Sequence, residues 1–331
     1  MLAADIARLR SPPAGAHIRY ISRTVRALRG ALSDYLALRR ALGSRLERAE
    51  KLLGQFAGFL EAQDDGTITV ASAVTWASLP QNASPRWLAT RMSVVRGFAA
   101  YLHALDPRHE VPPAGLFPDP GGRPVPYLYS GTGIAALMTA AQRLNGPQRR
   151  AAYRALIGLL AVSGIRIGEA IRLDDDDLDE ESGTLLIRQS KSGRSRIVPL
   201  HPTAVAELRA YQRVRDQARP LPRTGALFTT LTGARLNYPG TCTTFRRLAT
   251  IAGLPDRPGA HPTIHGLRHS MAVTTLLEWC RDGGDVRARI PQLSAMLGHS
   301  GPRDTYYYLH AAPELLALAG ARLTAYLEEP S

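Results

Sequence analysis

Apolar positions recur at helical spacing through most of the first hundred residues. Leu42, Leu46, Ala49, Leu52, Leu53, Phe56, Phe59 and Leu60 share one face, with arginines and glutamates between them, which predicts an amphipathic helix. A second helix is expected from Ser84-Pro85, where serine caps and proline takes the first turn; it carries Trp87, Leu88, Met92, Val95, Phe98, Leu102 and Leu105. Shorter helices are expected over 21–38 and 70–77. The result is a small all-α bundle over 21–106, preceded by a basic arm, 1–20, broken by Pro12 and Pro13. The pattern then stops. Residues 107–126 hold seven prolines, which deny the chain both helix and central strand, so a linker is expected there. A Pro-rich tether is semi-rigid and suits two modules placed on opposite sides of a rod-like ligand.

Beyond it, 127–331 reads as a second domain. A helix is expected over 151–163, ending at Gly164, then a short one after Ile165-Arg166-Ile167-Gly168-Glu169 that stops before the acidic run Asp174 to Asp177. Residues 183–189 alternate as a strand, Ser190-Lys191-Ser192-Gly193 supply turn residues, and 194–200 return as a second strand, which puts Lys191 at the tip of a β-hairpin. Further helices are expected at 202–217, 240–252, 266–279 and 290–297, with a last amphipathic segment over 313–327. The fold class is therefore mainly α with a small β-sheet or hairpin, in two domains. The four aspartates of the acidic run point in different directions and cannot converge on one ion, so a solvated loop is expected rather than a metal site.

Charge changes this picture from a bland globule. The 331 residues carry a formal net charge of +13, and a surplus of fixed cations suits a polyphosphate partner, with nucleic acid leading and a merely arginine-rich solvated surface as the plain alternative. Of 41 basic residues only Lys51 and Lys191 are lysines, leaving 39 arginines. A partly buried lysine can give up a proton where arginine cannot; chance retention is the other reading of Lys191. Arg86, Arg91 and Arg96 ride on the second helix, and Arg194 and Arg196 on the returning strand, as candidate DNA contacts. Cys242 and Cys280 give neither a disulfide framework nor a zinc spacing. No apolar run reaches membrane-spanning length and the N-terminus lacks a signal-peptide core, so a cytoplasmic protein is expected.

The densest chemistry lies between His265 and His310. His265 and Arg268 are three residues apart at a helix start and face the same way. His299 follows, then the run Tyr306, Tyr307, Tyr308. A phosphodiester in its pentacoordinate state gathers charge on non-bridging oxygens, which guanidinium groups such as Arg166 and Arg268 hold by paired hydrogen bonds. Histidine shuttles protons near neutral pH. A phenol needs nearby cations or a base before it attacks. Glu169, one turn after Arg166, either orients that arginine or is an ordinary surface glutamate.

Arg166 in GIRIGE, Lys191 in a hairpin ending RIVPL, HGLRHS, LGHS and a tyrosine nine residues after the LGH histidine together resemble the tyrosine recombinase, or phage integrase, family. The resemblance covers 127–331; the helical module resembles the family's core-binding domain in size, helicity and position. Gly168 stands where a serine is common. The resemblance implies a two-domain fold and a site-specific recombinase in which Tyr308 attacks the scissile phosphate, forming a 3′-phosphotyrosyl link and releasing a 5′-hydroxyl. It implies that Lys191 protonates that leaving oxygen, that Arg166, Arg268 and His299 hold the phosphate oxygens, that His265 accepts or donates a proton, and that no metal or other cofactor is needed. It further implies double-stranded DNA with inverted-repeat sites as partner, a tetramer on DNA, and docking of 313–327 on a neighbouring subunit, although that segment's apolar stripe fits intramolecular packing equally well. The arginine-rich composition and the wording around the tyrosines resemble recombinases carried in sets of three by some bacterial mobile elements, which would make sister recombinases partners and the nucleoid the place of action. A type IB topoisomerase and a catalytically idle DNA-binding accessory protein are the competing readings.

Overall fold

Gly43, at φ +83°, takes a left-handed conformation that a side chain resists, and it closes helix α1, Ala14–Ala41. The computed structural model describes residues 14–44, 46–63, 65–117, 125–188, 195–218, 224–283, 285–299, 301 and 303–311. The chain divides into two units, Met1–Arg123 and Pro124–Ser331.

In the first unit α1 is followed by α2 (Glu47–Ala62), α3 (Val70–Ser78) and α4 (Pro85–Leu105). The apolar stripe Leu52, Leu53, Phe56 and Leu60 of α2 meets Trp76 of α3 and Val95, Phe98 and Leu102 of α4 in one buried core; each such side chain contributes about 2 kcal/mol by leaving water. Thr69 and Ser72 cap α3 reciprocally, and the Ser84 hydroxyl accepts the Trp87 N–H at the start of α4. Two expectations shift. α1 begins at Ala14, inside the expected arm, directly after the proline pair. Leu42, assigned by periodicity to the next helix, is 72% exposed in the turn that Gly43 makes.

The proline-rich stretch is not a free tether along its first half. The N–H of Glu110 donates to Ile68 O at 2.7 Å, the N–H of Ile68 donates to His109 Nδ1 at 3.1 Å, and Phe117 packs against the helical core. Prolines lack a donor but keep their carbonyls, and Arg96 uses two of them, donating to Pro112 O and Pro113 O. Arg96 is thereby engaged in holding this strap. Arg91 is corrected more sharply. Its side chain is buried, its guanidinium lies 3.6 Å from the centre of the Trp76 ring, and it donates to Ala77 O and Trp76 O at the end of α3. It caps a helix rather than facing a phosphate. Arg86 is exposed on the first turn of α4.

The second unit runs α5 (Gly131–Ala140), α6 (Pro147–Ser163), α7 (Ile167–Arg172), β1 (Leu178–Asp179), β2 (Thr184–Ile187), β3 (Arg196–Pro199), α8 (Pro202–Ala218), α9 (Tyr238–Ile251), α10 (Ile264–Arg281), α11 (Val286–Leu297) and α12 (Arg303–Ala311). α6 is its axle, with Ala152, Leu156, Ile157, Leu159 and Leu160 buried and α5, α8 and α10 packed around it. The expected hairpin is present inside a three-stranded antiparallel sheet of order β1-β2-β3, with Leu185 opposite Val198 and both fully buried. β1 is too short to show in a periodicity. α5 escaped notice because small residues dilute its stripe, although Ser130 caps it by accepting the Gly133 N–H. The tip of the hairpin, with Lys191 and Arg194, and the 313–327 segment lie outside the described residues.

The acidic run is not a solvated loop. Asp174 pairs with Arg235 at 2.5 Å, Asp175 with Arg215 at 2.8 Å, and the buried Asp177 with Arg188 at 2.6 Å. Three arginines from three segments fix the exit from α7; Asp177 alone is buried and needs a partner, Asp174 and Asp175 are half-buried, and Asp176 stays exposed. Among the described residues no group of three or more His, Cys, Asp or Glu is arranged to hold a metal ion, and no helix is long and apolar enough to cross a membrane.

Candidate active site

Arg166 precedes the first turn of α7, released there by the left-handed Gly164 (φ +61°) that ends α6. Its backbone N–H donates to Glu169 Oε2 at 2.9 Å and its side chain donates to Glu169 Oε1 at 3.0 Å and to Gly298 O at 3.1 Å. Glu169 is buried, 3% exposed, so it is no ordinary surface glutamate. Burial alone would favour its neutral form. The hydrogen bonds and charges of Arg196 and Arg166 outweigh that and hold its carboxyl below the usual range.

α10 supplies the second cation. Thr263 caps the helix by accepting the Gly266 N–H, and a Cβ at Gly266 would stand 2.7 Å from Tyr127 O and 2.8 Å from the Tyr129 ring. Only glycine lets the helix start this close to the 127–130 segment, which Tyr129 anchors by donating its phenol to Thr263 O and its N–H to Ser270 Oγ. Arg268, 2% exposed, donates to Gly164 O and Leu297 O, each at 2.7 Å. Its pKa falls to about 10, chiefly through burial and secondarily through Arg166, while the phenol of Tyr308 supports the charge; at neutral pH it remains a cation.

The end of α11 carries the third component. Gly298 (φ +66°) turns the chain out of the helix and delivers His299, whose Nδ1 meets Thr305 Oγ1 at 2.7 Å. Burial, then the positive Arg268 and Arg166, push its pKa down to about 4. His265 keeps one side open to solvent, yet the protein mass around it and the same two guanidiniums lower its pKa to about 4 as well. Both rings are neutral at pH 7.

α12 hangs the tyrosines over this cluster. Tyr308, 3% exposed, belongs to a small core with Val273 and Leu276 of α10 and Ile290, Leu293 and Leu297 of α11. Its ring is nearly parallel to His299, with centroids 6.0 Å apart, and meets His269 edge-on at 5.4 Å. Tyr306 is 46% exposed and Tyr307 packs beside Tyr308. Of the three, Tyr308 has its ring against His299.

The structure thus gathers Arg166, Glu169, His265, Arg268, His299 and Tyr308; Lys191 and Arg194 lie outside the described residues. Arg196 is corrected from candidate DNA contact to member of the cluster: 12% exposed in its side chain, it donates to both oxygens of Glu169, at 3.2 and 2.8 Å, and to Met296 O at 2.9 Å. Sequence reasoning also passed over Thr305 and His269. The second histidine of HGLRHS is one helical turn after His265, 4.7 Å from it ring to ring, which the spacing could have signalled. Thr305 had no signal, since its role exists only once α12 meets His299.

The class that this helical fold and its cluster of phenol, imidazoles and guanidiniums define is the tyrosine recombinases, enzymes that cut and rejoin DNA at specific sites. The chain belongs to the phage integrase family, whose model matches residues 131–314. It is 40% identical over 302 residues to the "Putative integrase/recombinase y4rB" of Sinorhizobium fredii, covering 89% of this chain and 96% of that one. It is 34% identical over 230 residues to the tyrosine recombinase XerC of Azotobacter vinelandii, covering 70% and 71%. Among solved structures, the Tn1549 transposon integrase in complex with circular intermediate DNA shares the fold with a TM-score of 0.62 at 18% identity, over 88% of this chain and 99% of that one.

Proposed function

We propose that this recombinase breaks DNA by transesterification at Tyr308. The phenolic oxygen attacks the scissile phosphorus, the bond to the 5′ oxygen breaks, and a 3′-phosphotyrosyl link stores the energy for religation to another strand's 5′-hydroxyl. Arg166, Arg268 and His299 hold the non-bridging oxygens. His265, neutral at pH 7, takes the phenolic proton, and Lys191 returns one to the leaving 5′ oxygen. The observation that carries the reading is the seat of Tyr308, buried on α12 with its ring nearly parallel to that of His299. The partner is double-stranded DNA with inverted-repeat sites, on which four copies assemble, in the service of a mobile element in a bacterial cytoplasm at the nucleoid, with sister recombinases as further partners.

The test is a pool of duplexes nicked beside the cleavage position, with randomised arms. Loss of the short strand past the nick removes the religating hydroxyl, so adducts accumulate and survive denaturant. Tyr308→Phe is expected to abolish them, while Tyr306→Phe and Tyr307→Phe retain them. An adduct unchanged by Tyr308→Phe overturns the assignment. Relaxation of supercoiled plasmid lacking any captured site would favour a topoisomerase instead.

A further inference from the structure

Three consecutive carbonyls at the end of α11 each accept a hydrogen bond from a different arginine. Met296 O takes Arg196 Nε at 2.9 Å, Leu297 O takes Arg268 at 2.7 Å, and Gly298 O takes Arg166 at 3.1 Å. These are orphan acceptors of a helix C-terminus, where the partial negative charge favours cations. The two arginines proposed to hold the phosphate are thus registered against one turn. The third, Arg196, comes from β3, the strand that returns from the Lys191 hairpin.

Arg196 is placed to act on the other two rather than on DNA. All three of its nitrogens are engaged, two on Glu169 and one on Met296 O, and its side chain is 12% exposed. Glu169 in turn holds the backbone N–H and the side chain of Arg166. Each oxygen of the buried carboxylate is shared, Oε1 by the side chains of Arg166 and Arg196 and Oε2 by the Arg166 N–H and Arg196, so removing Arg196 takes two of the four bonds that fix the carboxylate's orientation toward Arg166. The turn is cut to the same shape: a Cβ at Gly298 would stand 2.5 Å from a terminal nitrogen of Arg196.

We infer that Arg196 is a positioning residue for strand cleavage, which fixes Arg166 at the scissile phosphate through Glu169 and ties the hairpin strand to the turn bearing His299. The inference rests on the proposed contact of Arg166 with the phosphate. A displacement of about 1 Å in such a group slows chemistry about 100-fold.

The experiment measures single-turnover adduct formation on a nicked duplex taken from the captured pool, made with either a phosphodiester or a methylphosphonate at the cleavage position. The methylphosphonate carries one negative charge fewer on its non-bridging positions, in the ground state and in the pentacoordinate state, and so depends less on a guanidinium to neutralise it. Arg196→Gln is expected to slow the phosphodiester about 100-fold and the methylphosphonate less than about 10-fold, and Glu169→Gln is expected to show the same recovery, with the double variant no worse than either single one. Arg196→Lys, which keeps the charge but cannot span both partners, is expected to fall between the parent and Arg196→Gln. Comparing two substrates on one protein removes any loss due to misfolding. Equal losses on both substrates overturn the inference, as does a loss of DNA affinity with a shallower salt dependence, which marks a direct backbone contact. Recovery by Arg166→Ala without recovery by Arg196→Gln overturns the inference alone. No recovery by Arg166→Ala overturns the phosphate assignment and the inference with it.

Discussion

The imidazole of His299 is held between two residues of one helix: its plane lies 16° from that of the Tyr308 ring, and its Nδ1 meets Thr305 Oγ1 at 2.7 Å. Thr305 and Tyr308 are one turn apart on α12, so a single helix registers the Tyr308 phenol against the histidine. Thr305 is fully buried. Thr305→Val keeps its volume and removes the hydroxyl, leaving His299 Nδ1 without that partner. The expected cost is about 1 kcal/mol in stability, with slower adduct formation on a nicked duplex. Thermal unfolding and single-turnover cleavage check both, and an unchanged cleavage rate would remove Thr305 from the site.

The depressed histidines set a pH dependence. An unfolded histidine titrates near 6.5, whereas folded His299 and His265 titrate at about 4. As pH falls from about 6.5 toward 4 the unfolded chain binds protons that the folded site refuses. Stability is therefore level above that window and declines through it. Unfolding midpoints at pH 7.5 and pH 5 are expected to differ by less in His299→Gln than in the parent protein; an equal difference would show that His299 stays ionisable in the folded state.

Gly266→Ala brings a methyl within 2.7 Å of the Tyr127 carbonyl, a backbone atom that cannot rotate away. Either α10 or the 127–130 segment must shift. Overpacking of this kind costs about 1–3 kcal/mol, and because α10 carries His265 and Arg268, cleavage is expected to fall beyond what the lost stability explains. Melting temperature and adduct yield on the same preparation separate the two effects.

Arg91→Lys tests the corrected role of that arginine. Lysine reaches neither the planar stacking on Trp76 nor both α3 carbonyls at once. The helical unit is expected to lose about 2 kcal/mol, while the slope of DNA affinity against salt stays as in the parent. A slope reduced by about 1 would return Arg91 to the DNA surface.

Much of this protein was legible in one dimension. Residues that write a local rule into the chain were read correctly: Ser84-Pro85 starting α4, Gly164 ending α6, and the two alternating stretches that pair as β2 and β3. Arg166, His265, Arg268, His299 and Tyr308, which the family resemblance picked out of 39 arginines, nine histidines and 12 tyrosines, are brought together by the fold. Boundaries failed where a local signal competed with a broader one, as when Gly43 turned the chain inside an apolar stripe that continued through Leu42.

What tertiary structure alone decided is the destination of each charge. Arg91, on a helix, and Arg196, on a strand, are the same residue type, and both read as candidates to face DNA. One lies on a tryptophan and the other holds a buried glutamate, because a guanidinium goes to whatever carbonyls and carboxylates folding brings near it. The acidic run likewise drew its arginines from positions 188, 215 and 235. Sequence determined the helices and marked the candidate reacting groups, since those signals lie within a turn or a short motif. Which cation stands beside which oxygen depends on residues tens to a hundred positions apart, as Arg196 and Met296 are, and only the folded chain brings them within 3 Å.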